Sequence, residues 1–356
     1  MTPLRGPGID LDRRNIAIVR ELAQEGRAYL PKGPGPSLRA ISRKLSLSEG
    51  TVRSRIAKLR ASGFLGRPRI IVNPRLLGLE QWAYLGFVAP GFSKEVVLRQ
   101  VCAVEGVFLI VNFHSRGLGV IFNHDEKSSP REKQRLLDRL CGAPADFVVP
   151  VPLPPVGTSL TGVDWELIRS VCTHGAHTQA ELARELGVSV RTVKRRLSKL
   201  VDSWALVSFP RFNFRAIRGG AAASLMYRIS GSARAAEVDA RILSLAEDYL
   251  LYFGRWGEVA QLMLIVPNPA AATALARAAG LVKGVSSVRV ELVDELVDQP
   301  EDIGDYLAAR LQRYVSAVSA GMDDPVLRRA PKVGAARTPR PWAVRSLRRS
   351  PSVLPH

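Results

Sequence analysis

Two stretches of the chain share one arrangement of apolar and polar positions. They read "LSLSEGTVRSRIAKL" at 45–59 and "LGVSVRTVKRRLSKL" at 186–200, 141 positions apart. Val52, Ile56 and Leu59 form the apolar seam of the first, and Val193, Leu197 and Leu200 that of the second. The spacing i, i+4, i+7 puts each set on one face of a helix. Ser48 and Ser189 stand at the front, where a hydroxyl can accept an orphan backbone N–H. The pattern predicts helices over about 48–61 and 189–201. Upstream, Ile16, Val19 and Leu22 or Ala23 predict a short amphipathic helix, as do Leu167, Ile168 and Val171. Asp12 and Asp164 suit their caps or first turns. A second helix, 38–45 or 179–186, ends in a tight turn at Ser46-Leu47 or Gly187-Val188. After the third helix come "FLGRPRIIV" and "ALVSFPRFNF". Each is two extended runs about a proline bend, which predicts a small hairpin in each half.

The remainder of each half alternates differently. Strand-like runs fall at about 81–89, 107–123 (broken at Ser115-Arg116-Gly117) and 146–152, with helices at 93–104 and 127–141. In the second half the strands are expected near 222–230, 249–254, 258–266 and 286–293, with helices at 233–246 and 268–282. Both halves therefore follow a βαββαβ order, the ferredoxin-like split βαβ unit. The predicted fold class is α+β, as two tandem copies of a winged helix-turn-helix followed by a βαββαβ domain. The expected boundaries are 1–78 and 79–152, a proline-rich spacer at 153–161, then 162–218 and 219–297. A last helix at 298–320 and a disordered basic tail at 321–356 follow. The first half carries an eleven-residue excess at 26–36, rich in proline and glycine, which reads as a loop.

Charge sharpens this plan. The formal net charge of the 356-residue chain is +19. Residues 37–75 contribute +9, residues 178–218 contribute +6 and the tail from 326 contributes +8, so everything else is slightly acidic. Positive charge gathered on the helix-turn-helix segments is the footprint of a polyanion binder. No apolar run approaches the ~20 residues of a membrane span. No secretory signal is expected at the N-terminus, and Cys102, Cys141 and Cys172 form no paired framework. These features point to a cytoplasmic protein.

The residues "LRAISRKLSLSEGTVRSRIAKLRASGFL" with "VNPRLLG", and "QAELARELGVSVRTVKRRLSKLVDSWAL", resemble the leucine-responsive regulator/AsnC family of bacterial and archaeal transcription factors. The resemblance covers roughly 10–297 in two copies, whereas a typical member has one copy and dimerises. It implies double-stranded DNA as the partner, a nucleoid location, self-association through the ferredoxin-like domains as an intramolecular pseudo-dimer or a higher assembly, and no cofactor other than an unidentified small-molecule effector. Helix-turn-helix proteins put the front of the third helix into the major groove. Arg53, Ser54, Arg191, Lys194 and Arg195 are the candidates to read base edges there. Arg39, Arg43, Arg55, Lys58, Arg67, Arg69, Arg184, Arg196 and Arg211 are the candidates for phosphate contacts. Glu49 and Gly50 stand where the second copy has Val190 and Arg191, so the two heads are expected to read an asymmetric site.

Many family members bind an amino acid beside a Gly-x-x-Asp-like turn. The equivalent stretches here are "HSRGLG" and "GRWGEV", which make Arg116, Gly117, Arg255 and Glu258 the effector candidates. The first stretch has no acid and the second offers Glu258 in place of Asp. Siroheme decarboxylases share the architecture and supply an enzymatic alternative, for which His114 and Arg116 are the suggestive pair. No catalytic residue is assigned. A non-specific architectural DNA-binding protein is the other alternative. Cys172, His174 and His177 form a weak metal candidate that lacks a fourth ligand.

Overall fold

A computed structural model describes residues 7–24, 38–66, 69–125, 129–151, 153–157, 159–173, 178–209, 211–231, 233–298 and 300–320. The loop at 26–36 and the tail lie outside the described residues, as do Arg67, His174 and His177.

The first half contains β1 (Ile9–Asp10), α1 (Arg13–Gln24), α2 (Leu38–Leu45), α3 (Glu49–Ala61), β2 (Arg69–Val72) and a 3-10 turn at Pro74–Leu77. It continues with β3 (Leu79–Phe87), α4 (Lys94–Cys102), β4 (Val107–Phe113), β5 (Gly117–Asp125), α5 (Pro130–Cys141) and β6 (Phe147–Val151). The second half repeats this order. It has α6 (Gly162–Thr173), α7 (Gln179–Glu185), α8 (Val190–Asp202), β7 (Leu206–Phe209), a 3-10 turn at Phe214–Ala216 and β8 (Ile217–Arg218). Then come β9 (Ala221–Ile229), α9 (Ala235–Ala246), β10 (Leu250–Trp256), β11 (Val259–Val266), α10 (Pro269–Gly280), β12 (Val285–Asp298) and α11 (Pro300–Ser319). The last helix begins at Pro300 rather than at 298, because β12 runs on to Asp298 as a paired strand.

Eight strands form one sheet in the order β10-β11-β9-β12-β4-β5-β3-β6. Each half contributes four neighbouring strands, and β12 joins them by pairing antiparallel with β4, Val293 opposite Phe113 and Asp298 opposite Leu109. Among the described residues the equivalent junction, β6 with β10, forms no ladder. Pro150 lies in β6, and a proline has no N–H to donate. One face of each half-sheet carries its own helices. Val97, Val101 and Leu137 of α4 and α5 cover the first, and Val238, Ile242 and Ala272 of α9 and α10 cover the second.

The hairpins expected within each half do not form. Instead the two extended segments pair with each other: Leu65 bridges Phe212, and β2 runs antiparallel to β7 from Arg69 opposite Phe209 to Val72 opposite Leu206. Gly66 N–H donates to Arg211 O at 2.9 Å, and Asn213 N–H donates to Phe64 O at 2.9 Å. Each segment is too short around its proline to fold back on itself, and the other half offers a strand of matching length. The ribbon crosses the halves over. The core of the first helix-turn-helix is completed by Phe214, Ala216, Met226 and Leu251 of the second half. That of the second is completed by Ile71, Val72, Leu77 and Phe108 of the first, with Leu311 of α11. β1 pairs parallel with β8 in the same crossed sense.

The proline-rich spacer is not a free strut. Leu153 and Pro154 are buried, Asn73 Nδ2 donates to Pro154 O at 3.0 Å, and Gly157 N–H donates to Ser203 O at 3.1 Å. It is laid down on the second head.

Candidate nucleic-acid interface

Each third helix is held by the same local devices. Ser48 Oγ accepts from Thr51 N–H at 3.0 Å and lies 2.8 Å from the Thr51 hydroxyl. Ser189 does the same with Thr192, at 3.1 and 3.0 Å. The shared threonine thus serves the cap, and the seams Val52, Ile56, Leu59 and Val193, Leu197, Leu200 are all buried. The turn before each helix needs a left-handed residue, which is Ser46 (φ 53°) in the first head and Gly187 (φ 63°) in the second. The turn after it uses Gly63 (φ 78°) and Trp204 (φ 63°). Each head therefore keeps one side chain at a backbone angle where its counterpart has glycine.

With the seams inward, Arg53 and Ser54 project to solvent from α3, and Arg191, Lys194 and Arg195 from α8. None of these five side chains makes an ion pair or hydrogen bond among the described residues. Arg39, Arg43, Lys58 and Arg184 are likewise exposed, and Arg211 is exposed on the ribbon. Of Arg69 only the backbone, in β2, is described.

Two cations expected at phosphates are committed inside the protein. Arg55 Nη1 lies 2.9 and 2.7 Å from the two carboxylate oxygens of Asp12 and 2.8 Å from Asn15 Oδ1. Arg196 Nη1 lies 2.8 Å from Asp164 Oδ1 and 2.9 Å from Thr161 Oγ1. Both arginines leave the helix flank next to the seam, and the acid of the first helix meets them there. The same acids hold the helix starts. Asp12 accepts from Asn15 N–H at 2.7 Å, and Asp164 accepts from the Thr161 N–H at 2.9 Å. Burial raises both carboxyls, but hydrogen bonds outweigh it and leave them below the usual carboxylate range. For Asp12 the main opposing bond is from Arg55, and for Asp164 from the Thr161 backbone, followed by Arg196. The recurrence of the pair in both halves was the signal for this role.

Two effector candidates are also engaged internally. Arg116 donates to the backbone carbonyls of Val88, Ala89 and Phe92 at 2.7, 2.6 and 2.5 Å, which braces the chain before α4. Arg255 pairs with Asp239 and donates to Gly257 O at 2.9 Å. Gly117 opens β5 opposite Phe87. Glu258 is exposed at the β10–β11 turn, where it and Arg255 border a cleft of about 630 Å³ with Arg75, Arg228 and Trp256. No group of three or more metal-type ligands occurs among the described residues, and no described helix is long and apolar enough to cross a membrane. Cys172 is half-buried.

A family model described as winged helix-turn-helix DNA-binding matches residues 160–203. The chain is 35% identical over 88 residues to the HTH-type transcriptional regulator Ptr1 of Methanocaldococcus jannaschii, covering 24% of this chain and 54% of that protein. It spans about half the length of the curated relatives it matches. Among solved structures, the siroheme decarboxylase NirDL bound to an iron-uroporphyrin III analogue aligns over 87% of this chain and all of its own, at 16% identity and TM-score 0.49. An AsnC family transcriptional regulator from Agrobacterium tumefaciens aligns over 37% of this chain and 89% of its own, at 17% identity and TM-score 0.25. The capped third helices, the matched segment and the regulator relative agree: the chain carries a winged helix-turn-helix DNA-binding segment at 160–203 and is similar over about a quarter of its length to HTH-type transcriptional regulators.

Proposed function

We propose that the chain is a sequence-specific DNA-binding transcription regulator of the cytoplasm, acting on the nucleoid as its own pair of heads. The observation that carries this reading is the division of labour among the arginines. Arg55 and Arg196 are held by carboxylates, whereas Arg53, Arg191, Lys194 and Arg195 face solvent at the front of α3 and α8 without a described partner. An arginine so placed can donate two parallel bonds to guanine in the major groove. Arg39, Arg43, Lys58, Arg184 and Arg211 then contact phosphates and set the register. Arg55 and Arg196 act as positioning residues that fix each reading helix to the first helix of its head.

The heads present different faces. Glu49 and Gly50 begin α3 where Val190 and Arg191 begin α8, so the DNA site is asymmetric, with half-sites about one turn (~34 Å) or a multiple apart. The chain is a binder and not an enzyme: Arg116, half of the pair that would suggest decarboxylase chemistry, is occupied by three carbonyls. The ferredoxin-like halves serve assembly, and the cleft beside Glu258 is the place for an effector of the family kind.

The test is selection of genomic DNA with the purified protein at two salt concentrations, followed by footprinting. Specific asymmetric sites that persist at the higher salt are the expected result. Loss of all sites together would make it a non-specific coater. An inverted repeat contacted equally on both sides would remove the asymmetry, and no binding at either salt would return the enzymatic reading.

A further inference from the structure

The inner face of the eight-stranded sheet and the crossed ribbon enclose a cavity of about 220 Å³. Strands of both halves line it, as do Val207 and Phe212 of the ribbon segments. No charged residue is among the described residues that line it. Its walls include the rings of Phe113, Tyr252, Trp204 and Trp256 and the thioethers of Met226 and Met263. Two side-chain amides interrupt the apolar surface. Gln81 donates to Asn123 at 3.1 Å and Gln261 to Ser224 at 2.7 Å, which leaves the carbonyl oxygen of each as an acceptor.

Interiors are packed about as densely as organic crystals, and voids much larger than a water are few. Trp204 is held at φ 63°, an angle that bulky residues rarely adopt, where the first half has Gly63. Strain of this sort is a pointer to function. A Cβ at Gly254 would fall 2.6 Å from Tyr252 Oη and 3.1 Å from the Trp256 ring. Glycine there is what lets both rings lie along the wall.

We propose that this cavity binds one uncharged, largely aromatic small molecule, which stacks on the rings and donates hydrogen bonds to Gln81 and Gln261. A charged ligand would be desolvated there with no counter-charge, a cost that excludes it. A cavity of ~150 Å³ takes a single benzene ring, so this one, about half as large again, has room for one fused bicyclic ring. A multiply carboxylated tetrapyrrole fits neither the size nor the lining.

1-Naphthylamine, which is uncharged at neutral pH, and 5-aminonaphthalene-1-sulfonate, which adds a sulfonate to the same ring framework, make a matched pair of fluorescent probes. The expected result with the full chain is saturable binding of the uncharged probe at one per chain, with the sulfonate at least tenfold weaker. Ala83→Phe fills the cavity and Trp204→Gly removes a wall while relieving the backbone. Each is expected to weaken the uncharged probe at least tenfold. Thermal denaturation reports whether each variant folds, and if Ala83→Phe does not, Trp204→Gly decides. No saturable binding, equal binding of the sulfonate, or unchanged binding in the folded variants overturns the proposal.

Discussion

Arg196 turns back into its own head and sets its Nη1 2.8 Å from Oδ1 of Asp164, a side chain with no exposed surface. Removing one partner from a buried pair leaves the other charge uncompensated and costs ~3–5 kcal/mol. Because Arg196 is itself a quarter exposed, Asp164→Asn is expected at the lower end of that range, about 3 kcal/mol. The Asp12 side chain is half exposed and Asn keeps an oxygen for the cap, so Asp12→Asn is expected to cost only about 0.5–1 kcal/mol, chiefly as a lost ion pair with Arg55. Urea denaturation of the two variants checks the difference, and equal losses would refute it.

The same pair makes acid a specific threat. The Asp164 carboxyl is below its ordinary value in the folded chain, so its stabilisation is fully present above the unfolded carboxyl's pKa of ~3.9. It is lost as pH falls from there through the folded value. Wild-type stability is expected to drop below about pH 4, and Asp164→Asn is expected to flatten that part of the curve. Thermal melts between pH 6 and pH 3 read the slope.

Arg191→Ala and Arg53→Ala are expected to lower affinity for the selected site by about 1–3 kcal/mol each and to relax base preference in different half-sites. Arg184→Ala is expected to weaken all sequences alike and to reduce the salt slope by about 0.9. Titrations at several salt concentrations separate the two behaviours. An Arg191→Ala variant with unchanged base preference would count against base reading.

The third helices were legible because their determinants are local. Ser48, Thr51 and the Val52–Ile56–Leu59 seam lie within a dozen residues, as do their counterparts around Ser189. The ribbon was not legible. The runs around Leu65 and Phe212 look equally able to form a hairpin at home or a ladder with a distant partner, and strand pairing between halves leaves no mark on local periodicity. The internal partners of Arg55 and Arg196 were hidden for a related reason. Their acids stand 43 and 32 positions upstream, a difference equal to the eleven-residue excess at 26–36, and only the recurrence ties them together.

Ser46→Gly should stabilise the chain. Ser46 sits at φ 53° where the second head has Gly187, and a left-handed angle costs an ordinary residue roughly 1 kcal/mol. The greater freedom of glycine in the unfolded chain offsets part of that. A rise of a few tenths to 1 kcal/mol in denaturant unfolding is expected, and a loss of stability would show that the serine side chain matters there.

A protease site inserted after Gly157 should allow the chain to be cut without coming apart. The β12–β4 ladder, the ribbon and the crossed cores all hold one half to the other. The two fragments are expected to co-elute on gel filtration in native buffer and to separate in urea. Separation in native buffer would mean that the spacer, and not the ladder, keeps them together.

The crossing also sets a timetable. As the chain leaves the ribosome, Ile18, Val19 and Leu22 of the first head emerge some two hundred residues ahead of Phe214, Met226 and Leu251, which close their core. Domains that are complete in sequence fold as units during synthesis, in N-terminal order. This head must wait, with apolar surface uncovered, until the second half arrives. Contacts so distant in sequence are slow to form and leave the waiting chain open to aggregation.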